Sequence, residues 1–289
     1  MSSNLPVSDH EFAALPGLAE DLGLPAPAPR LVQRRWVTTV SGGHVSGVTW
    51  GADPPEAVLL HDARRGARSF DRLLLRLGRP ALALDLPGHG RSGRRASGVY
   101  APRRIAPAVA EAIRSFAPAA RVVLGEGLGA LTAIALAVRS PGLVGALVLV
   151  DTLPGSLGAP AVDVPDRLAS REEALEWLRK ARPDASERDL DLDLRHEAVE
   201  EPGGAWTWRH DPRAGAAPDD ETLWEPLAGL AAREVPIVLL RPPSGARAGE
   251  TAVEELLRHA PAARIVTVTE PELAGHLRDV IDTTRRSAS

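Results

Sequence analysis

Three carboxylates and a histidine sit where apolar stretches end. His61 and Asp62 close "AVLLHD", Glu126 closes "RVVLGE" and Asp151 closes "GALVLVD"; a further histidine, His276, stands in "ELAGHLRD". Carboxylates gathered in a pocket whose burial raises their pKa can act as acids or bases in proton transfer, elimination or cyclisation without a covalent intermediate. Around Glu126 the chain reads Gly125-Glu126-Gly127-Leu128-Gly129, a glycine turn between an apolar strand and an alanine-rich helix. Bare N–H groups at such a helix start can bind phosphate. "GEGLGA" fits G-x-G-x-x-G/A, and Asp151 ends the next strand near the spacing of a ribose-binding acid, so a dinucleotide site is one alternative. Against it, a dinucleotide-binding domain usually opens with this unit, and here several strands precede it. Trp206 and Trp208, in "GAWTWRHDP", either pack an inserted segment or line an apolar ligand cavity.

These residues need elements to position them. "LVQRRWVTTV" and "HVSGVTWG" read as two strands of a hairpin across Ser41-Gly42-Gly43. Short, continuously apolar runs then alternate with helical segments: 57–62, 81–86, 121–126, 145–151, 236–241 and 263–269. That pattern predicts a parallel sheet covered on both faces. Between Asp151 and residue 231 the chain turns charged and helical, as an insertion between two halves of one sheet would. The boundaries expected are a loosely held, Pro/Ala-rich lead-in at 1–30, a core at 31–152 and 232–289, and a helical cap at 153–231.

Composition narrows the function classes. The 289 residues can form one large domain or two small ones, and a net charge of −4 gives no reason to expect nucleic acid. No cysteine is present, which excludes disulfides, thiolate metal sites and a cysteine nucleophile. No metal or cofactor is expected. "MSSNLPVSDHEF" lacks the basic and apolar regions of a signal peptide, and no run of about 18 apolar residues suggests a membrane span, so a cytoplasmic protein is expected. Arginine far exceeds lysine, and alanine, glycine and proline abound, a bias of GC-rich bacterial genomes.

In order and spacing, several stretches together resemble the α/β-hydrolase superfamily, of the bacterial type with a small cap. "AVLLHDARRGARSFD" sits where that family has strand, His-Gly, loop and helix. "ALALDLPGHGRS", "GLGALTAIALA" and "LVGALVLVDTLPG" match the segments that follow, and "REEALEWLRKARP" and "GAWTWRHDP" resemble the cap. The resemblance implies an α/β fold with a mostly parallel central sheet flanked by helices and a small helical cap inserted after the sixth strand. It also implies a catalytic serine in G-x-S-x-G, a histidine after the last strand and a carboxylate to orient it. Gly127 occupies the serine position. His276 is either the family's base or a residue inside the last helix, because Pro271-Glu272 follows the strand almost at once. Asp151 matches one of the family's places for the carboxylate. Asp62 falls where the family has a small residue beside the oxyanion site. A carboxylate about 4 Å from a developing oxyanion, at an effective dielectric of about 20, costs about 4 kcal/mol, or about three decades of rate; the alternatives are a protonated Asp62 or one that points away and caps the following loop.

The expectation from these departures is a protein without serine-hydrolase chemistry, binding a small apolar or mixed-polarity molecule between core and cap. His61, Asp62, Glu126, Gly127, Leu128, Asp151, Trp206 and Trp208 are the candidate lining. The alternatives are a lyase, cyclase or proton-transfer catalyst using the pocket carboxylates, a residual hydrolase, or dinucleotide binding at "GEGLGA". No sequence feature points to a protein partner.

Overall fold

A computed structural model describes residues 11–28, 31–157, 163–215 and 221–287. In chain order the elements begin with α1 (Leu15–Asp21), β1 (Val32–Thr39), β2 (Gly43–Trp50), β3 (Ala57–Leu60), α2 (Asp71–Leu77) and β4 (Ala81–Asp85). They continue through α3 (Pro102–Phe116), β5 (Val122–Glu126), α4 (Leu128–Arg139) and β6 (Ala146–Val150). An inserted segment holds α5 (Arg171–Ala181), α6 (Glu187–Glu197), β7 (Ala198–Glu200) and β8 (Trp206–Trp208). The core then resumes with α7 (Trp224–Ala231), β9 (Ile237–Arg241), α8 (Glu250–His259), β10 (Arg264–Thr267) and α9 (Leu273–Ser287).

Eight strands form one sheet in the order β1-β2-β4-β3-β5-β6-β9-β10. The hairpin β1–β2 and the pair β2–β4 are antiparallel, and every other pair is parallel. β3 and β4 are buried along their whole length, and β5, β6 and β9 at every residue but the last. This is why their sequences are continuous apolar runs rather than alternating ones. One face packs against α3, α4, α7 and α8 through Ile113, Ile134, Leu227 and Leu256. The other packs against α1, α2 and α9 through Leu15, Leu74, Leu277 and Ile281.

Two expected boundaries shift. α1 belongs to the core rather than to a loose lead-in: Leu15, Leu18 and Ala19 are buried, and Leu15 joins the α2–α9 layer. Residues 1–10 and 29–30 of that expected lead-in lie outside the described residues. α7, placed in the cap by its position in the chain, packs into the core layer with α4. The inserted segment proper is α5, α6 and the β7–β8 ribbon, with its own apolar centre of Leu175, Trp177, Leu178, Leu190, Leu194 and Trp208. Among the described residues no helix is long and apolar enough to cross a membrane.

Candidate active site

β3, β5 and β6 end at the same edge of the sheet and bring Asp62, Glu126, Gly127 and Asp151 to it. Gly127 forms the turn between β5 and α4 with φ +52° and ψ −123°, which an L-residue adopts only under strain. Its N–H donates to Thr152 Oγ1 at 2.9 Å, and Thr152 Oγ1 donates to the Val150 carbonyl at 2.9 Å, tying the turn to β6. Gly129 is required by close approach, since a Cβ there would overlap the Leu60 carbonyl of β3. The glycines of this stretch let α4 lie directly on the strands.

The phosphate reading of the same turn fails on its hydrogen bonds. The Leu128 N–H at the start of α4 donates to Asp62 Oδ1 at 3.1 Å, and the Ala63 N–H donates to the same oxygen at 2.7 Å. The chain's own carboxylate therefore occupies the amide pair that a phosphate or an oxyanion would use. A Cβ on Gly127 would overlap this carboxylate, with Asp62 Oδ1 the nearest atom. Glycine at 127 and aspartate at 62 are thus a matched pair. On its far side Asp62 Oδ2 accepts from Arg247 Nη1 at 2.9 Å. Arg247 lies in the loop after β9, and Asp151 holds that loop by accepting from the backbone N–H groups of Arg247 (2.8 Å) and Ala248 (3.0 Å). Asp151, at φ +44°, is a loop anchor.

Glu126 faces a cavity of about 560 Å³ bounded by α2, α6 and the ends of β5 and β6, with Arg65, Arg182, Asp193 and His196 in its wall. Burial pushes the Glu126 carboxyl above its ordinary pKa; Asp62 and Asp151 push the same way, while Arg65 and Arg247 pull it back. Arg65 links core to insert, pairing with Asp193 at 3.0 Å and with Glu197 at 3.1 Å, both on α6. Arg182 completes this ionic cluster from the end of α5.

The remaining candidates have other roles. His61 is fully buried, donates through Nδ1 to the Asp62 carbonyl (2.7 Å) and accepts from the Leu86 N–H at Nε2 (2.9 Å), so it braces the loop. His276 lies inside α9, behind a Thr269–Glu272 capping box, and not on a loop after β10. Trp208 packs within the insert against Trp177, with ring centroids 4.7 Å apart, and Trp206 bridges to the backbone of Leu168; neither lines the cavity at Glu126. Asp62, Gly127, Leu128 and Asp151 form one hydrogen-bonded group beside that cavity, and Glu126 joins group to cavity. Sequence reasoning missed Arg247, Arg65 and His196. Arg247 is the one arginine in "PPSGARAGE", and only the contacts of that loop with Asp62 and Asp151 give it a place in the site. His196 carried no motif.

Residues 57–283 match the Alpha/beta hydrolase family. The chain is 34% identical over 278 residues to Esterase Rv0045c of Mycobacterium tuberculosis, covering 92% of this chain and 89% of that one. A crystal structure of the same mycobacterial protein, described as a novel esterase, superposes with a TM-score of 0.79 at 31% identity over 100% of this chain and 99% of that one. Lipase LipV of the same organism is 32% identical over 169 residues, 55% of this chain and 64% of that one. Similarity to an esterase over nearly the whole length overturns the expectation of a non-hydrolytic binding protein, which had rested on Gly127 and the missing histidine loop, and supports the hydrolase alternative instead. Strand order, the turn at Gly127 and these matches agree: the chain belongs to the Alpha/beta hydrolase family.

Proposed function

We propose that this protein hydrolyses carboxylic esters by direct attack of water, with Glu126 as general base. The observation that carries the proposal is the Glu126 carboxylate in the cavity wall, made more basic by burial. Similarity to an esterase at 34% identity supports the ester class. Glu126 takes a proton from water as the water oxygen bonds to the ester carbonyl carbon. Collapse of the tetrahedral oxyanion breaks the bond to the alcohol oxygen, and the proton returns from Glu126 to the departing alcohol. Arg65 and Arg247, whose charges already act on Glu126, offset the negative charge. The amide pair at Ala63 and Leu128 serves Asp62 instead. Gly127 has no side chain, so no acyl-enzyme forms there.

The magnitudes predict a slow enzyme. General-base assistance contributes about 10²–10⁴ in rate, whereas removing the serine of a full triad costs about 10⁶. In this reading α5, α6 and the β7–β8 ribbon act as the cap that keeps bulk water from the cavity. The test is stopped-flow hydrolysis of short- and medium-chain aryl esters by highly purified protein, with intact-mass analysis of quenched samples. Linear turnover above buffer, without a burst and without an acyl adduct, is expected. Turnover no faster than buffer, or an adduct, would overturn the proposal.

A further inference from the structure

A second, smaller cavity of about 190 Å³ adjoins the first and shares Arg68, Ser69, Asp193 and His196 with it. Five arginines line it together with the carboxylates Glu11, Asp85, Asp193 and Glu197, and the partners of the arginines differ sharply. Arg34 is held by Glu11, Asp85 and Ser46, and Arg68 by Asp71 and the Glu11 carbonyl. Arg91 reaches Glu11 only at 3.5 Å, and Arg195 reaches Asp191 at 3.4 Å. Arg209, just after β8, is held through its backbone N–H to the Glu197 carbonyl, yet its guanidinium has no hydrogen bond or ion pair among the described residues. The Arg209 guanidinium is half-buried at the cavity wall, with its five donors open to a ligand.

The imidazole beside it is equally unpartnered. His196, in the last turn of α6, lines both cavities and has no hydrogen-bond partner among the described residues. Burial, together with Arg68, Arg195, Arg34 and Arg209, pushes its pKa down to about 2. Burial and the nearby Arg91 likewise hold Arg209 below its ordinary value. Burial is the largest cause in both groups; neighbouring arginines add to it, and Glu11 and Asp85 pull Arg209 back in part. A planar or tetrahedral oxyanion matches the fork of Arg209 and reaches the loosely held Arg91 and Arg195.

We propose that this cavity is an anion subsite, in which Arg209, with Arg91, Arg195 and His196, binds the carboxylate or phosphate tail of the substrate. The tail's identity as part of a substrate rests on the hydrolase reading above; the site itself does not. An ester carrying such a tail would extend from the small cavity into the larger one and reach Glu126.

The experiment titrates full-length protein with inorganic phosphate and with succinate by calorimetry at fixed ionic strength, for the parent, Arg209→Gln and Arg139→Gln. Arg139 ends α4 and lines neither cavity. The parent and Arg139→Gln should bind at least one of the two anions, and Arg209→Gln should lose at least tenfold in affinity. The preferred anion tells phosphate from carboxylate. If Arg209→Gln fails to fold, Arg91→Gln combined with Arg195→Gln must weaken binding comparably. Equal binding by the parent and the arginine-site variants, or none by the parent, overturns the subsite. In parallel, an aryl hemisuccinate is compared with the aryl butyrate. A KM lower by tenfold or more for the charged ester, lost in Arg209→Gln, supports the substrate tail; equal KM values overturn it. Anion binding that Arg209→Gln abolishes, with neither ester turned over, leaves the subsite standing and removes the hydrolase reading.

Discussion

Gly127→Ser restores the hydroxyl that the family's mechanism uses, but in this chain it drives a Cβ into the Asp62 carboxylate. The new side chain must also accept φ +52°, at a cost of about 1–2 kcal/mol. Relieving the overlap expels Asp62 from the Leu128 and Ala63 amides and from Arg247. Each hydrogen bond to a charged group contributes about 1.5–3 kcal/mol, partly recovered on resolvation, so Gly127→Ser should destabilise by about 3–5 kcal/mol. Asp62→Gly alone leaves two amides and Arg247 without their acceptor, at about 2–3 kcal/mol. In the double variant the overlap has gone, so its loss should fall short of the sum of the single losses by about 2 kcal/mol or more. Urea unfolding of all four proteins at constant m-value measures this coupling. Additivity to within about 0.5 kcal/mol, or Gly127→Ser as stable as the parent, would refute the claim that these two positions are matched.

Other variants probe the surrounding machinery. Glu126 has a raised folded-state pKa, so its contribution to stability is fully present below the unfolded pKa and is lost as pH rises through the folded one; Glu126→Gln should therefore unfold at a higher temperature than the parent at pH 8, an advantage that shrinks towards pH 4. Asp85 is the opposite case: burial alone would raise its pKa, but Arg34 and the Ala67 N–H outweigh it and hold it low, so its stabilisation is present above the unfolded pKa and is lost as pH falls through the folded value. Asp85→Ala strands a buried Arg34, and denaturant melts at pH 7 should show a loss of about 3–5 kcal/mol. Asp151→Ala releases the Arg247 loop, so hydrogen exchange at the Arg247 and Ala248 amides should accelerate about tenfold or more while the central strands stay protected.

The core was legible because burial on both faces leaves a strong trace: "ALALD" and "ALVLV" have no other stable use than as central strands. The glycine turn was legible as a turn, yet its purpose was not. Whether Leu128 offers its N–H to a ligand or to Asp62 depends on a contact 66 residues away in the chain, which local spacing does not encode. Asp62 was read either as a charge opposing an oxyanion or as a cap on the following loop; it accepts from the Ala63 N–H of that loop and from the Leu128 N–H as well, and so fills the amide pair directly. Asp151 drew attention by its place at a strand end, although its work is done on the backbone of residues 247 and 248. Of the two readings offered for the tryptophans, packing of the insert is the one the structure has, because an aromatic pair gives a small insert a centre of its own. Gly127, the missing histidine loop and Asp62 together suggested lost chemistry, and only similarity along the whole chain to an esterase corrected that inference.

The most direct test of the account is the steady-state rate of aryl butyrate hydrolysis by the parent and Glu126→Gln across pH 5 to 9. Carboxylate-assisted water attack predicts turnover above buffer that rises with pH through the raised Glu126 pKa, and falls about 10²-fold or more in Glu126→Gln. Equal rates in the two proteins, or no turnover above buffer in the parent, would contradict it.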